Sequence, residues 1–177
     1  MTEPLPVFAY HPDPMATGSI KLSQQVCASC ARRRGYVYRG PVYSAKEVEA
    51  LCPWCIADGS AAERFDATYC DVSPPPDIPD AVVDAIARRT PGFNGWQQER
   101  WLFHCGDGAM FLGPAGAREL RGDEQALASL RAELAENRWT DQQIAGFLDA
   151  LDRDGQPVAY VFECRSCGTH LAYSDST

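Results

Sequence analysis

The 177-residue sequence contains no apolar run of about 18 residues, the length that a transmembrane helix needs. Its first residues, MTEPLPVFAYHPDP, have neither the basic start nor the apolar segment of a secretory signal peptide. Because neither a membrane span nor an export signal is visible, the sequence predicts a cytoplasmic protein without a membrane association.

The sequence also has few of the residues and motifs that several enzyme classes require. It has three histidines and no G-x-S-x-G motif, so no Ser-His-Asp arrangement can be argued. The glycine-rich stretch HCGDGAMFLGPAG lacks the lysine of a phosphate-binding loop. The H-x-E and PCxxC pattern of zinc deaminases is absent as well. These absences argue against a serine hydrolase, a nucleotide-binding protein and a nucleobase deaminase.

Positive charge is scarce. The formal net charge is −8 and the isoelectric point is near 4.8, and the acidic excess lies in residues 71–163. Affinity for nucleic acid comes largely from cations that neutralise phosphates, so nucleic acid is not the expected partner. The local exception is the run Arg32, Arg33 and Arg34.

Cysteine, in contrast, is abundant, with eight residues. In a cytoplasmic protein, cysteines at such spacings indicate metal binding or catalysis before disulfides. Cys27 and Cys30 form one C-x2-C pair, and Cys52 and Cys55 form a second after 21 intervening residues. This spacing is typical of a structural zinc site, because two such turns can direct four thiolates to one tetrahedral point. Four thiolates around Zn²⁺ carry a formal charge of −2, which the arginines after Cys30 are placed to offset.

A redox alternative centres on the second pair. The sequence Cys52-Pro-Trp-Cys55 is similar to the CPYC motif of glutaredoxins. That chemistry needs an apolar strand running into the dithiol, whereas residues 44–51, SAKEVEAL, carry a capping-box pattern that predicts a helix. A redox function would also leave Cys27 and Cys30 without a role. Zinc is therefore the preferred interpretation, and thiol-redox chemistry stays an alternative.

A third C-x2-C pair, Cys164 and Cys167, supplies two ligands of a second zinc site, with Cys105 as the natural third. Adjacent residues on a strand point to opposite faces, which argues against pairing Cys105 with its neighbour unless the chain bends at Gly106. The candidates for the fourth ligand are His104, His170, Cys70 and a water molecule. A buried free thiol is the preferred interpretation of Cys70.

If water takes the fourth position, the second zinc would be of the catalytic type. His104 or Asp107 would then be the proton acceptor of a zinc-dependent hydrolase. The sequence thus predicts one zinc ion and leaves open a second, structural or catalytic.

The predicted fold class is α+β, with treble-clef or zinc-ribbon-like hairpins around zinc knuckles and two or three helices packed beside them. Residues 1–72 are predicted to form a zinc module with four cysteine ligands. Residues 73–177 are predicted to form a helical segment with the second CxxC hairpin, packed with the first part as one unit. The local expectations are a hairpin over 34–44, a short helix over 44–51, a short helix into Trp101, helices over 79–90, 123–137 and 140–151, and a strand–turn–strand over 157–173.

Several stretches together resemble the CbrC family of uncharacterised bacterial proteins, which carries a colicin-tolerance label. They are FAYHPDPMATGSI, RGYVYRGPVYS, LCPWCIADGSAA, RTPGFNGWQQERWLFHCGD and CRSCGTHLAYSD, and they cover nearly the whole chain. The resemblance implies a bacterial cytoplasmic protein and supplies no activity. The residues that occupy family motif positions are Cys27, Cys30, Cys52, Cys55, His104, Cys105, Cys164 and Cys167.

The preferred function is that of a bacterial zinc-binding protein in which zinc is structural and which serves as a protein-interaction module. The acidic middle of the chain and the aromatic cluster over residues 96–103 are the candidate surface for a protein partner. His11, in YHPDP, is expected to be a surface or loop-packing histidine rather than a ligand.

Overall fold

The computed structural model describes residues 3–176. Its N-terminal part contains two short antiparallel strands, β1 (Ile20–Leu22) and β2 (Tyr36–Tyr38). Two short helices follow, α1 (Pro53–Ala57) and α2 (Ser60–Phe65). Cys27, Cys52 and Cys55 lie inside the apolar cluster that these elements share, and Cys30 packs against it. Cysteine side chains therefore form part of the core in this part of the chain.

The hairpin predicted over residues 34–44 is wrong. β2 pairs with β1 across the first C-x2-C turn, with Leu22 opposite Tyr36, and Tyr43 forms an isolated bridge with Thr68 instead. The other edge of β2 is also occupied, because the Tyr38 N–H donates to the Leu51 carbonyl. β2 thus has partners on both sides that are distant in sequence, and these replace the local Gly-Pro turn.

The helix predicted over residues 44–51 is wrong as well, since this segment has no helical residue. The Ser44 hydroxyl donates to the Phe65 carbonyl at 2.6 Å and accepts from the Lys46 N–H, so it is not available to cap a helix. The segment runs past β2 and leads directly into α1.

The central part contains α3 (Asp80–Arg89), a small hairpin of β3 (Phe103–His104) and β4 (Asp107–Gly108), and strand β5 (Met110–Ala115). The short helix predicted to lead into Trp101 is wrong, because residues 93–102 are irregular. Trp101 is buried and packs in an aromatic core with Phe93 and Phe111, whose rings are stacked 3.8 Å apart. The packing of these aromatic rings, rather than helical periodicity, accounts for the pattern of this segment.

The C-terminal part contains α4 (Glu124–Glu136), α5 (Asp141–Ala150), β6 (Val158–Glu163) and β7 (His170–Asp175). Both helices begin and end as predicted. Asp123 caps the start of α4, and Thr140 forms a capping box with Gln143 at the start of α5. Asn137 and Leu151 are the residues that follow their last turns. β5, β6 and β7 form one antiparallel sheet in that order. A third apolar cluster, centred on Leu130, joins α4 and α5 to this sheet.

Helix α4 covers the free edge of β7. Gln125 accepts from the His170 N–H, Ser129 exchanges hydrogen bonds with both backbone groups of Ala172, and Glu133 accepts from the Ser174 N–H at 2.8 Å. Residues four apart on a helix are about 6 Å apart, and residues two apart on a strand about 6.6 Å. The spacing of side chains along the helix therefore matches the spacing of backbone groups along the strand. One helix face forms hydrogen bonds to a strand edge that would otherwise be open to pairing with another chain.

Over residues 3–176 the architecture is mixed α+β, with five helices and three small antiparallel sheets. None of the helices in this range is long and apolar enough to cross a membrane. The division of the chain at residues 72 and 73 stays a prediction.

Removal of the Ser129 hydroxyl tests the helix–edge contact. We expect Ser129→Ala to lower the free energy of unfolding by about 1–3 kcal/mol, because Ala172 loses the partner of its N–H and C=O groups. Urea denaturation of the purified protein measures the effect. Glu136→Ala, on the exposed side of α4, is the matched control and should change stability by less than about 0.5 kcal/mol. Equal stability of the two variants would contradict this account of the edge.

Candidate metal centres

The first candidate centre consists of the sulfurs of Cys27, Cys30, Cys52 and Cys55, which all lie within 4.8 Å of one another. Three of these side chains are buried and Cys30 is half-buried. The Sγ atoms of Cys30 and Cys52 are 3.9 Å apart, which is far longer than the roughly 2.05 Å of a disulfide bond. All eight cysteines are free thiols. The group could hold a metal ion.

The first turn of this centre has a specific backbone. The Ala31 N–H donates to the Cys27 carbonyl at 2.8 Å, and the Cys27 N–H donates to the Arg32 carbonyl at 3.0 Å. Closing this turn places Ala31 in the left-handed region, with φ of 56°. Both sulfurs then face the same side of the turn, toward the second pair.

The second pair lies at the start of a helix. Cys52 is the residue before α1, Pro53 is its first residue, and Cys55 follows one turn later on the same face. The Cys52 N–H donates to the Cys27 sulfur at 3.3 Å. Helix starts have N–H groups without an intrahelical partner, and here one such group stabilises negative charge on a thiolate.

One positively charged side chain, Arg34, lies beside the first centre, where it also pairs with the Glu3 carboxylate. The Cys52 side chain and the N–H groups of Cys30 and Cys52 lower the pKa of the Cys27 thiol, against an opposing effect of burial. Of the arginines after Cys30, Arg34 is the one placed against the centre. Its guanidinium lies 4.2 Å from the Trp54 ring centroid, and the Glu3 carboxylate and Cys52 sulfur raise its pKa against the effect of burial.

The second candidate centre consists of His104, Cys105, Cys164 and Cys167, whose ligand atoms also lie within 4.8 Å of one another. His104 Nδ1 is 3.2 Å from the Cys105 sulfur and 3.4 Å from the Cys167 sulfur. The Cys105 and Cys167 sulfurs are 3.8 Å apart. Cys105 and Cys167 are exposed and Cys164 is buried, so this centre lies at the surface. This group could also hold a metal ion.

The two adjacent ligands, His104 and Cys105, face the same point because the chain turns between them. His104 is paired with Asp107 across the β3–β4 hairpin, and the two residues between them, Cys105 and Gly106, have φ of 53° and 71°. Positive φ at both central residues is the mark of a type I′ hairpin turn. This bend overcomes the strand alternation that argued against using both residues.

The other half of the second centre repeats the backbone of the first turn. The Gly168 N–H donates to the Cys164 carbonyl at 2.9 Å, and the Cys164 N–H donates to the Thr169 carbonyl at 2.8 Å. Gly168 occupies the left-handed position, with φ of 70°, which corresponds to Ala31 in the first turn. A feature that the sequence analysis missed is the Thr169 hydroxyl, which lies 3.1 Å from the Cys167 sulfur.

Two alternatives for the fourth ligand lie outside the group. His170 is held by carboxylates, with Nδ1 2.6 Å from Asp123 and Nε2 3.5 Å from Glu163, and the Asp123 hydrogen bond raises its pKa. Cys70 is buried beside the Ile86 carbonyl, and burial raises the pKa of its thiol. Neither residue is among those that converge on the centre.

Asp107, one of the two predicted proton acceptors, has both of its carboxylate oxygens bonded. One carboxylate oxygen accepts from the Tyr10 hydroxyl at 2.8 Å and from the Gly108 N–H. The other pairs with Arg165 at 2.7 Å. Burial and Asp107 together raise the pKa of Tyr10 to about 12. This network, which the sequence did not reveal, connects Tyr10, in the irregular segment before β1, to the β3–β4 hairpin. It also connects the hairpin to Arg165, in the turn between Cys164 and Cys167.

The two left-handed positions generate a paired prediction. Ala31→Gly should raise the free energy of unfolding by about 1 kcal/mol and Gly168→Ala should lower it by about as much, because a side chain in this region strains the backbone. A Cβ at Gly168 would meet no atom within 4 Å, so the effect isolates backbone strain. Chemical denaturation of the metal-loaded variants measures both, and effects of the same sign would contradict the shared turn geometry.

Comparisons with known proteins identify the family. The model of an uncharacterised protein family, UPF0167, matches residues 5–176. The chain is 54% identical over 174 residues to UPF0167 protein Mb2317 of Mycobacterium bovis, and the alignment covers 97% of this chain and 93% of the relative. UPF0167 protein MT2352 of Mycobacterium tuberculosis matches with the same values. UPF0167 protein PA1536 of Pseudomonas aeruginosa is 43% identical over 172 residues, which are 95% of each chain.

No solved structure matches this chain. The resemblance to an uncharacterised bacterial family is confirmed in this coarser form, whereas the CbrC label is not part of the names of these relatives. The chain belongs to the uncharacterised protein family UPF0167.

Proposed function

We propose that the protein binds two zinc ions, one at each centre, that both ions are structural, and that the fold they hold together is a cytoplasmic protein-interaction module. The observation that carries this proposal is the convergence of two complete four-ligand sets within residues 3–176. Each set combines a C-x2-C turn with a second pair of ligands from a different part of the chain.

The distances support a single zinc ion at each centre. Sulfurs at about 2.3 Å from a tetrahedral zinc are about 3.8 Å from one another, and a nitrogen ligand is about 3.6 Å from each sulfur. The sulfur–sulfur distances of 3.9 Å and 3.8 Å agree with this geometry, and the nitrogen–sulfur distances of 3.2 Å and 3.4 Å at the second centre are shorter than it requires. Thiolate and imidazole ligands in a tetrahedral set are those that favour zinc over the harder divalent ions. At the first centre, the turn at Cys27 and Cys30 is followed by a second cysteine pair at the start of α1. This order also supports a treble-clef-like arrangement.

The ligand count supports a structural role. Catalytic zinc sites keep one coordination position for water, whereas structural sites are closed by four protein ligands. His104 Nδ1 completes the second set, and the carboxylate that could act as a base there is already bonded to Tyr10 and Arg165. These contacts argue against the zinc-dependent hydrolase. The presence of Cys27 beside Cys52 argues against an isolated redox dithiol in the first set.

Zinc at the first centre would stabilise the N-terminal part decisively. Its strands have three residues each and its first two helices have five and six, lengths that are not stable on their own. Structural zinc contributes apparent binding free energies of about 10–16 kcal/mol. A contribution of this size exceeds the whole net stability of many domains of this length.

Metal content of protein purified without added metal tests the two-zinc proposal. We expect about two zinc ions per chain in the natural sequence and about one in Cys105→Ser/Cys167→Ser, because the second set loses two ligands. Cys52→Ser/Cys55→Ser should also lose one zinc, and amide hydrogen exchange in residues 20–70 should become fast because that part unfolds. Elemental analysis and exchange mass spectrometry measure these outcomes.

Cys70→Ala is the matched control, since it removes a cysteine that lies outside both sets, and it should keep both ions. The proposal fails if iron or no metal is found. It also fails if complete metal removal leaves the thermal stability unchanged.

The interaction proposal concerns the exposed end of the β1–β2 pair. Leu22 and Val26 are 72% and 46% exposed, and Arg32 and Arg33 are exposed beside them. Backbone hydrogen bonds from residue 23 to residue 35 and from residue 27 to residue 32 bring together the two segments that carry these side chains. An apolar pair with a basic rim on a chain of net charge −8 fits an acidic protein segment. The aromatic cluster over residues 96–103 is a weaker candidate, because Trp101 is buried in the core.

A double substitution tests this surface. We expect Leu22→Glu/Val26→Glu to abolish the recovery of a specific protein partner by affinity purification from cells that make the protein, because added negative charge repels an acidic segment. Leu112→Glu, at an exposed apolar position on β5, should leave recovery unchanged. Zinc content and thermal stability of both variants show that the fold is intact. Equal recovery with both variants would refute the assignment of this surface.

A further inference from the structure

A cavity of about 330 Å³ lies away from both metal centres. It is open to solvent on one side and is lined by residues 17–19 before β1, the irregular segment at residues 93–96, the turn at residues 153–155, and residues of strands β5 and β6. Its volume falls within the range of small-molecule sites in proteins, which is about 300–1,000 Å³. None of the residues that line it belongs to either ligand set.

The inner wall of the cavity is aromatic. Phe93 and Phe111 are stacked with their centroids 3.8 Å apart, and Tyr160 lies 5.1 Å from Phe93. All three are buried. Trp96 forms an outer wall: it is 51% exposed, and its indole N–H donates to the Gly155 carbonyl at 3.1 Å. Trp96 thus offers a planar apolar group a side wall, and the buried rings line the inner end of the cavity.

Two opposite charges lie at the outer side of the cavity. Arg153 and Asp154 are exposed and both line it. Neither side chain forms a hydrogen bond or an ion pair with another residue of the described range 3–176. Among the polar side chains of the cavity, this pair thus presents one free cation and one free anion to a ligand.

A buried histidine determines whether the hydroxyl of Thr17, a residue that lines the cavity, donates or accepts a hydrogen bond. His11, expected from sequence at the surface or packed in a loop, is fully buried, and burial lowers its pKa to about 4. Its Nδ1 lies 2.7 Å from the Pro91 carbonyl, which can only accept, so Nδ1 carries the proton of the neutral ring. Nε2 then accepts, and Thr17, whose Oγ1 is 2.7 Å away, donates to it. Thr17 Oγ1 also lies 3.3 Å from the Pro14 carbonyl and 3.3 Å from Ser19 Oγ. With its proton directed to His11, this oxygen can offer a ligand only an acceptor lone pair.

We propose that this cavity binds a free α-amino acid with an aromatic side chain. Its ring lies against Phe93, Phe111 and Trp96. Its carboxylate pairs with Arg153, and its ammonium pairs with Asp154 and donates to Thr17 Oγ1. The zwitterion matches the cavity in all three respects, namely an apolar ring of limited size, one negative group and one positive group.

The two charges distinguish this ligand from related ones. An aromatic acid would leave Asp154 unpaired near its carboxylate, and an aromatic amine would leave Arg153 unpaired near its ammonium. Because each unpaired like-charged contact disfavours binding, the cavity should select the molecule that carries both groups. An amino acid without a ring would leave the exposed Trp96 ring in contact with water.

Isothermal titration of the full-length, zinc-loaded protein with L-phenylalanine tests the proposal. We expect saturable one-to-one binding, and binding about tenfold weaker or more for 3-phenylpropionate, phenethylamine and L-phenylalaninamide, each of which lacks one charge. L-Alanine should not bind. Quenching or a shift of Trp96 fluorescence, absent in Trp96→Phe, should report the same affinity.

Charge-removing variants complete the test. Arg153→Gln and Asp154→Asn should each weaken L-phenylalanine binding about tenfold, and Arg153→Gln should reduce the preference for L-phenylalanine over L-phenylalaninamide. Arg121→Gln and Asp77→Asn, at exposed positions outside the cavity, are matched controls and should bind normally. The proposal is overturned by the absence of saturable binding. It is overturned equally by binding that is the same for L-phenylalaninamide, or by affinity that neither cavity variant changes.

Discussion

Four sulfurs that lie within 4.8 Å of one another, three inside an apolar cluster and one against it, are the constraint on which the N-terminal part depends. As thiolates they repel one another strongly in surroundings of low dielectric constant, and a divalent cation between them converts that repulsion into attraction. The elements around them are too short to be stable alone. The pairing of β1 with β2, the extended path of residues 44–51 and the position of α1 all follow from bringing two C-x2-C turns to one point.

The parts that could be predicted from sequence are those in which local and tertiary preferences agree. The ends of α4 and α5 follow from Asp123 and Thr140, whose side chains cap the helices as their sequence patterns indicate. The convergence of the cysteines follows from spacing, because a C-x2-C turn has few conformations that direct both sulfurs to one side. For the same reason the left-handed residues after Cys30 and Cys167 could be expected, although only the second is a glycine.

The secondary-structure predictions are wrong where a residue with a local sequence pattern forms its hydrogen bond with a residue that is distant in sequence. Ser44 has the sequence pattern of a helix cap, but its hydroxyl bonds to Phe65, 21 residues later. Tyr38 was expected to enter a hairpin across Gly40 and Pro41, but its N–H bonds to Leu51. The extended path into Cys52 also removes one of the two sequence arguments against a redox dithiol. The argument that stands is the position of Cys27, whose sulfur accepts from the Cys52 N–H.

Each centre contains a C-x2-C turn with the same backbone conformation. The elements that supply the other two ligands differ, and this difference has a physical consequence. The first centre is completed by a helix start inside an apolar cluster, so without an ion its thiols would have only the Cys52 N–H and one another as close partners. The second is completed by the β3–β4 hairpin at the surface, where Cys105 and Cys167 contact water. Its hairpin is also held by Asp107, through Tyr10 and Arg165. The second ion would therefore fasten a hairpin that has other contacts, while the first would decide whether its surroundings fold.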